Sequence, residues 1–248
     1  MNNVVVGVDG SPSGRGAIEW AVAKVTDEVH AVHAVSPAME LLAAGFQIDT
    51  GPLVERVTEQ LNGPWTAGLR HRQPKLFTHL VEDSPVLALL ATAGSCSSDA
   101  IVVGVRGHSP SSKMVGATTG QLVHLSDFPV VVVPTSGDQS APTTDDEVIV
   151  VGLADRPEED AELLRWTCET VAAPAARLEL VCADPRSKAT RSGPATPADE
   201  HPSTARIRRW VDDQDLQLPF SLEVVGSDPI TALSEASLLA RDAGIDLP

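Results

Sequence analysis

The chain has 248 residues, of which 42% are hydrophobic and only 3% aromatic, and its formal net charge is −16 at pH 7. This length and composition indicate one large or two ordinary folded domains, with cores built from Val, Leu, Ile and Ala. The acidic charge argues against binding to nucleic-acid backbones or anionic membrane surfaces, because both need clustered Lys and Arg. No apolar run in the sequence reaches membrane-spanning length, so we expect a soluble cytoplasmic protein.

Strands and helices alternate along the first half of the sequence. Val4–Val8 is a β-branched run typical of a strand buried on both faces, and helical spacing follows over Gly14–Val25. This alternation predicts an α/β fold with a parallel, doubly wound sheet. The other predicted strands are Val29–Val35, Leu76–Val81, Ala100–Val103 and Phe128–Pro134, and the other helical segments are Leu53–Leu61, a helix that begins at Pro85, and Thr118–Leu125.

Glycines follow the fourth predicted strand in a pattern that suggests a phosphate-binding loop. Gly104 and Gly107 permit close backbone approach and a positive φ, and Gly116 opens a helix whose first N–H groups favour phosphate. Asp9 follows the first strand, and ligands of open α/β sheets bind beyond the carboxyl ends of the strands. We therefore expect Asp9 and the glycines at one edge of the sheet.

A simpler interpretation of the turn after the first strand stays open. Asp9–Pro12 could be only a strand-to-helix connection in which Ser11 or Ser13 caps the helix. Two histidines in the second strand, His30 and His33, are expected to be strand residues at a sheet edge and not ligands. No metal site is predicted, because the sequence shows no metal-ligand spacing.

The second half of the sequence repeats the first. Ile149–Leu153 matches Val4–Val8, and Asp228–Leu233 matches Ser84–Leu89. This repeat predicts a complete domain over residues 1–136, a linker over 137–147 and a second copy over 148–248. The second copy is expected to be truncated, without counterparts of the fourth strand, the glycine loop, the fourth helix and the fifth strand.

These motifs together resemble the universal stress protein family. The resemblance rests on Val4–Pro12, Trp20-Ala21, Ile101–Gly107 and Phe128–Val133, and it continues weakly over 148–248 as in tandem-domain members. It implies a Rossmann-like, five-stranded parallel fold of the adenine nucleotide alpha hydrolase type, repeated in tandem with an incomplete second copy. It also implies ATP binding in members with a G-x-x-G, nine residues, G-(S/T) loop, and an adenine-binding aspartate after the first strand.

The resemblance gives a set of candidate nucleotide contacts, with Mg²⁺ only if it is bound with the nucleotide. Eight residues, not nine, separate Gly107 from Gly116, and Ala117 stands where the family has a hydroxyl. One lost hydrogen bond to a charged group costs about 1.5–3 kcal/mol, or about tenfold or more in affinity, so a weakened ATP loop is predicted. The candidate contacts are Asp9, Gly10, Val35, Gly104, Arg106, Gly107, Gly116, Ala117 and Thr118.

The second copy is predicted to bind no ATP. Ala154 stands at the place of Asp9, Asp155 stands at the place of Gly10, and the glycine loop has no counterpart. The sequence also shows neither a positioned base nor a metal ligand for catalysis, so we expect no enzyme activity.

The predicted function is therefore regulatory, with an adenine nucleotide bound in the first domain. The alternative is a nucleotide-free interaction or dimerisation module of the same fold. The free edge of the fifth strand, Val130–Val133, favours a homodimer formed by strand addition. The three cysteines, Cys96, Cys168 and Cys182, have no CxxC spacing and are expected to be buried thiols in a reducing compartment.

Overall fold

The computed structural model describes residues 1–35, 51–66, 74–105, 116–134, 148–172, 176–183, 202–214, 216, 218–226, 229, 231–233 and 235–236. The chain divides into two compact units, Met1–Asp138 and Gln139–Pro248. No helix among the described residues is both long enough and apolar enough to cross a membrane.

The first unit alternates strands and helices as the sequence predicts. Its strands are β1 (Asn3–Gly7), β2 (Glu28–Val35), β3 (Lys75–Glu82), β4 (Ala100–Gly104) and β5 (Val130–Val133). Its helices are α1 (Pro12–Lys24), α2 (Gly51–Asn62), α3 (Pro85–Ser95) and α4 (Ala117–Leu125).

The five strands form one parallel sheet in the order β3-β2-β1-β4-β5. The predicted α/β fold is confirmed. The chain winds outward from β1 to β3 on one side and from β4 to β5 on the other, so the strand order reverses between β1 and β4. In such sheets this reversal leaves a crevice at the carboxyl ends of the strands.

Two sequence expectations about this sheet need correction. His30 and His33 lie on β2, which pairs with both β1 and β3, so neither residue lies on an edge strand. β5 is shorter than the predicted Phe128–Pro134. Proline has no N–H to donate to a strand ladder, so Pro129 and Pro134 limit the regular pairing of β5.

The core of the first unit lies between the sheet and its helices. Val4, Val5 and Val6 are completely buried, as expected of a strand covered on both faces. The helices α1 and α3 both pack against β1 and β4, which holds the strand ends at the reversal. One core cluster consists of Val5, Val32, Val86, Ala88, Leu89, Ala93, Ile101, Val103 and Leu122.

The second unit contains a smaller parallel sheet in the order β6-β7-β8. This arrangement fits an incomplete second copy, because the first three strands of the first unit also lie side by side in chain order. Its strands are β6 (Val148–Leu153), β7 (Arg177–Ala183) and β8 (Phe220–Val225), and its helices are α5 (Pro157–Trp166), which continues as a π-helical turn over Thr167–Val171, and α6 (Pro202–Asp212).

The described cysteines are all free, as the sequence predicts, but only one is buried. Cys182 is buried in the core of the second unit, whereas Cys96 and Cys168 are half-buried. Burial raises the pKa of the Cys168 thiol, and the neighbouring charge of Glu169 raises it further.

Candidate functional site

The turn between β1 and α1 is fixed by side-chain hydrogen bonds. The Asp9 Oδ1 atom accepts a hydrogen bond of 2.9 Å from the Ser11 backbone N–H. Ser11 is the N-cap of α1, and its Oγ accepts a hydrogen bond of 3.0 Å from the Gly14 backbone N–H. The capped turn that the sequence offered as the simpler interpretation is therefore present, with Ser11 and not Ser13 as the cap. These bonds hold the Asp9 carboxylate at the carboxyl end of β1.

Gly10 occupies the centre of this turn, and glycine is required there for two reasons. Its φ of +81° lies in the left-handed region, which residues with a Cβ rarely adopt. A Cβ on Gly10 would also lie 2.4 Å from Cε2 and 2.5 Å from Nε1 of Trp65. The Trp65 indole thus lies directly against the backbone of the residue that follows Asp9.

The sequence analysis did not identify Trp65, which follows the Asn62-Gly63-Pro64 interruption after α2. Its ring also contacts His33, with ring centroids 5.1 Å apart and planes inclined by 58°. The His33 Nδ1 atom lies 2.7 Å from the Val8 carbonyl oxygen, so Nδ1–H donates to that oxygen. The only sequence signal for this contact is a tryptophan in a chain that is poor in aromatic residues.

Val35 is the last residue of β2 and pairs with Glu82 of β3. Side chains alternate along a strand, so Val35 lies on the same face of β2 as His33. Val35 is half-buried. Val35 therefore lies at the carboxyl end of β2, on the same face of the sheet as His33, which contacts Trp65.

Gly104 ends β4, and its surroundings differ from the sequence expectation. Its φ is not in the left-handed region, and the close approach that it permits is to protein and not to an open crevice. A Cβ on Gly104 would lie 2.6 Å from the carbonyl carbon and 2.7 Å from the carbonyl oxygen of Ser13. Gly104 therefore allows the first turn of α1 to pack against the end of β4.

The start of α4 is tied to the end of β4 by two hydrogen bonds. The Gly116 N–H donates to the Val105 carbonyl oxygen at 2.9 Å, and the Thr119 hydroxyl donates to the Gly104 carbonyl oxygen at 3.0 Å. Gly116 is the N-cap, and no side chain among the described residues caps this helix. The first N–H groups of α4, including those of Ala117 and Thr118, therefore lie at the carboxyl edge of the sheet, where they favour an anion.

The structure brings seven of the nine predicted contacts to this one edge. Asp9 and Gly10 follow β1, Val35 ends β2, Gly104 ends β4, and Gly116, Ala117 and Thr118 begin α4. The other two, Arg106 and Gly107, lie outside the described residues. A carboxylate and hydrogen-bond donors thus lie at the carboxyl ends of the strands, and an aromatic ring lies beside Gly10, an arrangement that suits a ligand with an anionic part and a planar part.

A second group of titratable side chains lies away from this edge. The His30 Nδ1 atom is 3.0 Å from His79 Nε2 and 3.4 Å from the Cys96 sulfur, and His30 Nε2 is 3.4 Å from the Glu28 carboxylate. Burial lowers the pKa of His79, and the nearby His30 lowers it further. Over the described ranges, no group of three or more His, Cys, Asp or Glu side chains could hold a metal ion.

The corresponding turn of the second unit is filled by its own side chains. Asp155 has a φ of +60°, which matches the left-handed conformation of Gly10. The Arg206 guanidinium, from α6, donates to both carboxylate oxygens of Asp155, at 2.6 Å to Oδ1. This ion pair links the turn after β6 to α6.

Asp160 completes the closure of that turn. It is buried, and its carboxylate accepts backbone hydrogen bonds of 2.9 Å from both Ala154 and Arg156. Burial raises the pKa of Asp160, and the two backbone hydrogen bonds oppose that rise. The remaining cavity is small, about 100 Å³, and is lined by Asp155, Pro157, Asp160, Arg206, Ile207 and Trp210.

Comparison with known proteins agrees with this fold. The model of the universal stress protein family matches residues 1–134, which is more than half of the chain. The chain belongs to the universal stress protein family. No curated protein matches its sequence.

Solved structures of universal stress proteins resemble the chain at low sequence identity. One from Archaeoglobus fulgidus DSM 4304 is 16% identical, with a TM-score of 0.56, and the match covers 96% of this chain and 82% of that one. A putative member from Pseudomonas aeruginosa UCBPP-PA14 is 11% identical, with a TM-score of 0.49 and coverage of 90% and 74%. A universal stress protein in complex with cAMP is 22% identical, with a TM-score of 0.38 and coverage of 54% and 98%. At these identities the Archaeoglobus structure supports the fold alone.

Proposed function

We propose that the first unit binds an adenine nucleotide, ATP or a close relative, at the carboxyl edge of its sheet. The observation that carries this proposal is the meeting of the Asp9–Gly10 turn and the start of α4 at the reversal of strand order. The Asp9 carboxylate is an acceptor for an adenine amino group, and the N–H groups of α4 are donors for phosphate oxygens. Arg106 and Gly107 of the predicted loop, with Mg²⁺ where the nucleotide carries it, would complete the phosphate contacts.

We propose further that binding serves regulation and not catalysis. Asp9 Oδ1 already accepts the Ser11 N–H, which suits a carboxylate that positions a base better than one that removes a proton. To test this proposal, the full chain is incubated with ATP and the released phosphate is measured. We expect release no faster than in buffer, and a steady turnover that an Asp9→Asn variant abolishes would contradict it.

The binding experiment is a titration of the full chain with ATP, ADP, AMP and cAMP, in which binding is measured by calorimetry and by the shift in melting temperature. Asp9→Asn is the sharpest variant, because its amide oxygen can still accept the Ser11 N–H while its NH₂ group opposes an adenine amino group. We expect this variant to fold normally and to lose about tenfold or more in affinity. Gly107→Val should also abolish binding, because a side chain there would block the phosphates. Equal affinity in wild type and both variants would contradict the site.

A nucleotide-free interaction module is the second candidate, and the sheet edge favours it. β5 is the last strand of the sheet, and within the described residues its outer edge pairs with no other strand. Strand addition at Val130–Val133 would join two copies, so we propose a homodimer in the cytoplasm. Sedimentation of the wild type and of Val132→Pro, which removes an outward-facing N–H from β5, tests the dimer. Under this alternative the dimer forms and no adenine nucleotide shifts the melting temperature.

A further inference from the structure

Trp65 lies at the predicted base-binding end of the site, although neither the sequence motif nor the family resemblance includes it. Its indole is in contact with the backbone of Gly10, the neighbour of Asp9, and with the ring of His33. Trp65 is only half-buried, so part of the residue is accessible to solvent. We propose that its indole stacks on the base of the bound nucleotide; the inference rests on the proposed function.

The indole is held in place before any ligand arrives. Gly10 has no side chain, and the indole lies in the space that a Cβ would fill. His33 supports a second side of the ring, and His33 is itself fixed by its hydrogen bond to the Val8 carbonyl oxygen. An aromatic surface that is already oriented loses little side-chain entropy when it binds, which favours affinity.

Asp9 and Trp65 recognise different parts of a nucleotide base. Asp9 offers a carboxylate to a hydrogen-bond donor on the edge of a base, whereas Trp65 offers a π-surface to its face. Stacking is tolerant of base identity, because every base has a π-face. Trp65 therefore contributes affinity for the nucleobase as a class, and Asp9 contributes the preference for a base with an amino group.

Calorimetric titration of the full chain with ATP tests this role. We expect Trp65→Ala to bind ATP about 5- to 150-fold more weakly than wild type, the range for loss of one base–aromatic stack. Trp65→Phe keeps a smaller aromatic surface and should lose less. Trp166→Ala is the matched control, because it removes a half-buried helical tryptophan from the second unit and should leave ATP affinity unchanged.

Tripolyphosphate separates stacking from a general loss of structure, because it carries the phosphates without a base. It should bind wild type and Trp65→Ala equally under the proposal. A drop in tripolyphosphate affinity equal to the drop for ATP would overturn the assignment, since it would show a structural role. An increase in ATP affinity in Trp65→Ala would also overturn it, since it would show that the indole fills the base site.

Tryptophan fluorescence of the folded protein provides a readout that does not require the Trp65→Ala variant. ATP should change tryptophan emission in wild type and in Trp166→Ala, and the change should disappear in Trp65→Phe. If wild type binds ATP and the Trp65 variants keep the same affinity and the same emission change, only the stacking role is wrong. If wild type binds no ATP, the proposed function fails and the stacking role fails with it.

Discussion

Substitution of Gly104 by alanine should destabilise the first unit, and the structure gives the size of the effect. The new Cβ would lie 2.6 Å from the Ser13 carbonyl carbon, whereas favourable carbon contacts begin at about 3.5 Å, so α1 must retreat by about 1 Å. β4 pairs with strands on both sides and cannot move away. Overpacking of this kind costs about 1–3 kcal/mol, and alanine recovers about 0.4–1 kcal/mol by restricting the unfolded chain. The midpoints of these ranges give an expected net loss of about 1.3 kcal/mol.

Gly16→Ala, in the helix α1 that Gly104 contacts, is the matched control. A Cβ on Gly16 would have no heavy atom within 4 Å, so the substitution should stabilise α1 by about 0.5–1 kcal/mol. Hydrogen exchange of the Ile101, Val102 and Val103 amides reports the free energy of opening of the first unit alone, which avoids the ambiguity of unfolding two units together. Faster exchange in Gly104→Ala and slower exchange in Gly16→Ala are the expected results. Equal or slower exchange in Gly104→Ala would refute the tight contact with Ser13.

Three further measurements test other contacts. Gly10→Ala should destabilise wild type more than it destabilises Trp65→Ala, since the second background lacks the clashing indole; additive free energies of unfolding would contradict their contact. The lowered pKa of His79 means that stability falls as pH falls from 6.5 through that lowered pKa, so His79→Gln should flatten this dependence, and an unchanged slope would exclude His79 as its source. The raised pKa of Asp160 acts in the opposite direction. Its contribution to stability is fully present below pH 3.8 and is lost as pH rises through the pKa of the folded state. Asp160→Asn should remove this loss of stability from the second unit, as measured by hydrogen exchange of the β7 amides. If the loss persists in the variant, another group causes it.

The sequence predicted the fold well because buried parallel strands have a strong local signature. Val4–Val8 and Ala100–Val103 are apolar runs bounded by turn residues, and alternation with helices leaves few topologies for a parallel sheet. The edge at which Asp9 and Gly104 meet followed from topology alone. These features depend on pattern and strand order, and neither requires knowledge of side-chain contacts.

The details of the site depend on contacts between residues far apart in sequence. Nothing local shows that Trp65 lies against Gly10, or that Arg206 pairs with Asp155 in the second unit. The glycine pattern predicted backbone freedom at Gly104, but a glycine can serve a ligand, a turn or a packed helix, and local sequence does not distinguish these uses. The structure shows that Gly104 serves the packing of α1, because a Cβ there would clash with the Ser13 carbonyl group.

Calorimetric titration of the full chain with ATP tests the central claim most directly, because it gives both affinity and stoichiometry. The first unit carries the Asp9–Gly10 turn and the start of α4, whereas the corresponding turn of the second unit is closed by the Arg206–Asp155 pair and by Asp160. We therefore predict one ATP per chain, with binding weakened in Asp9→Asn. Two molecules per chain, or no binding to the wild type, would contradict the account.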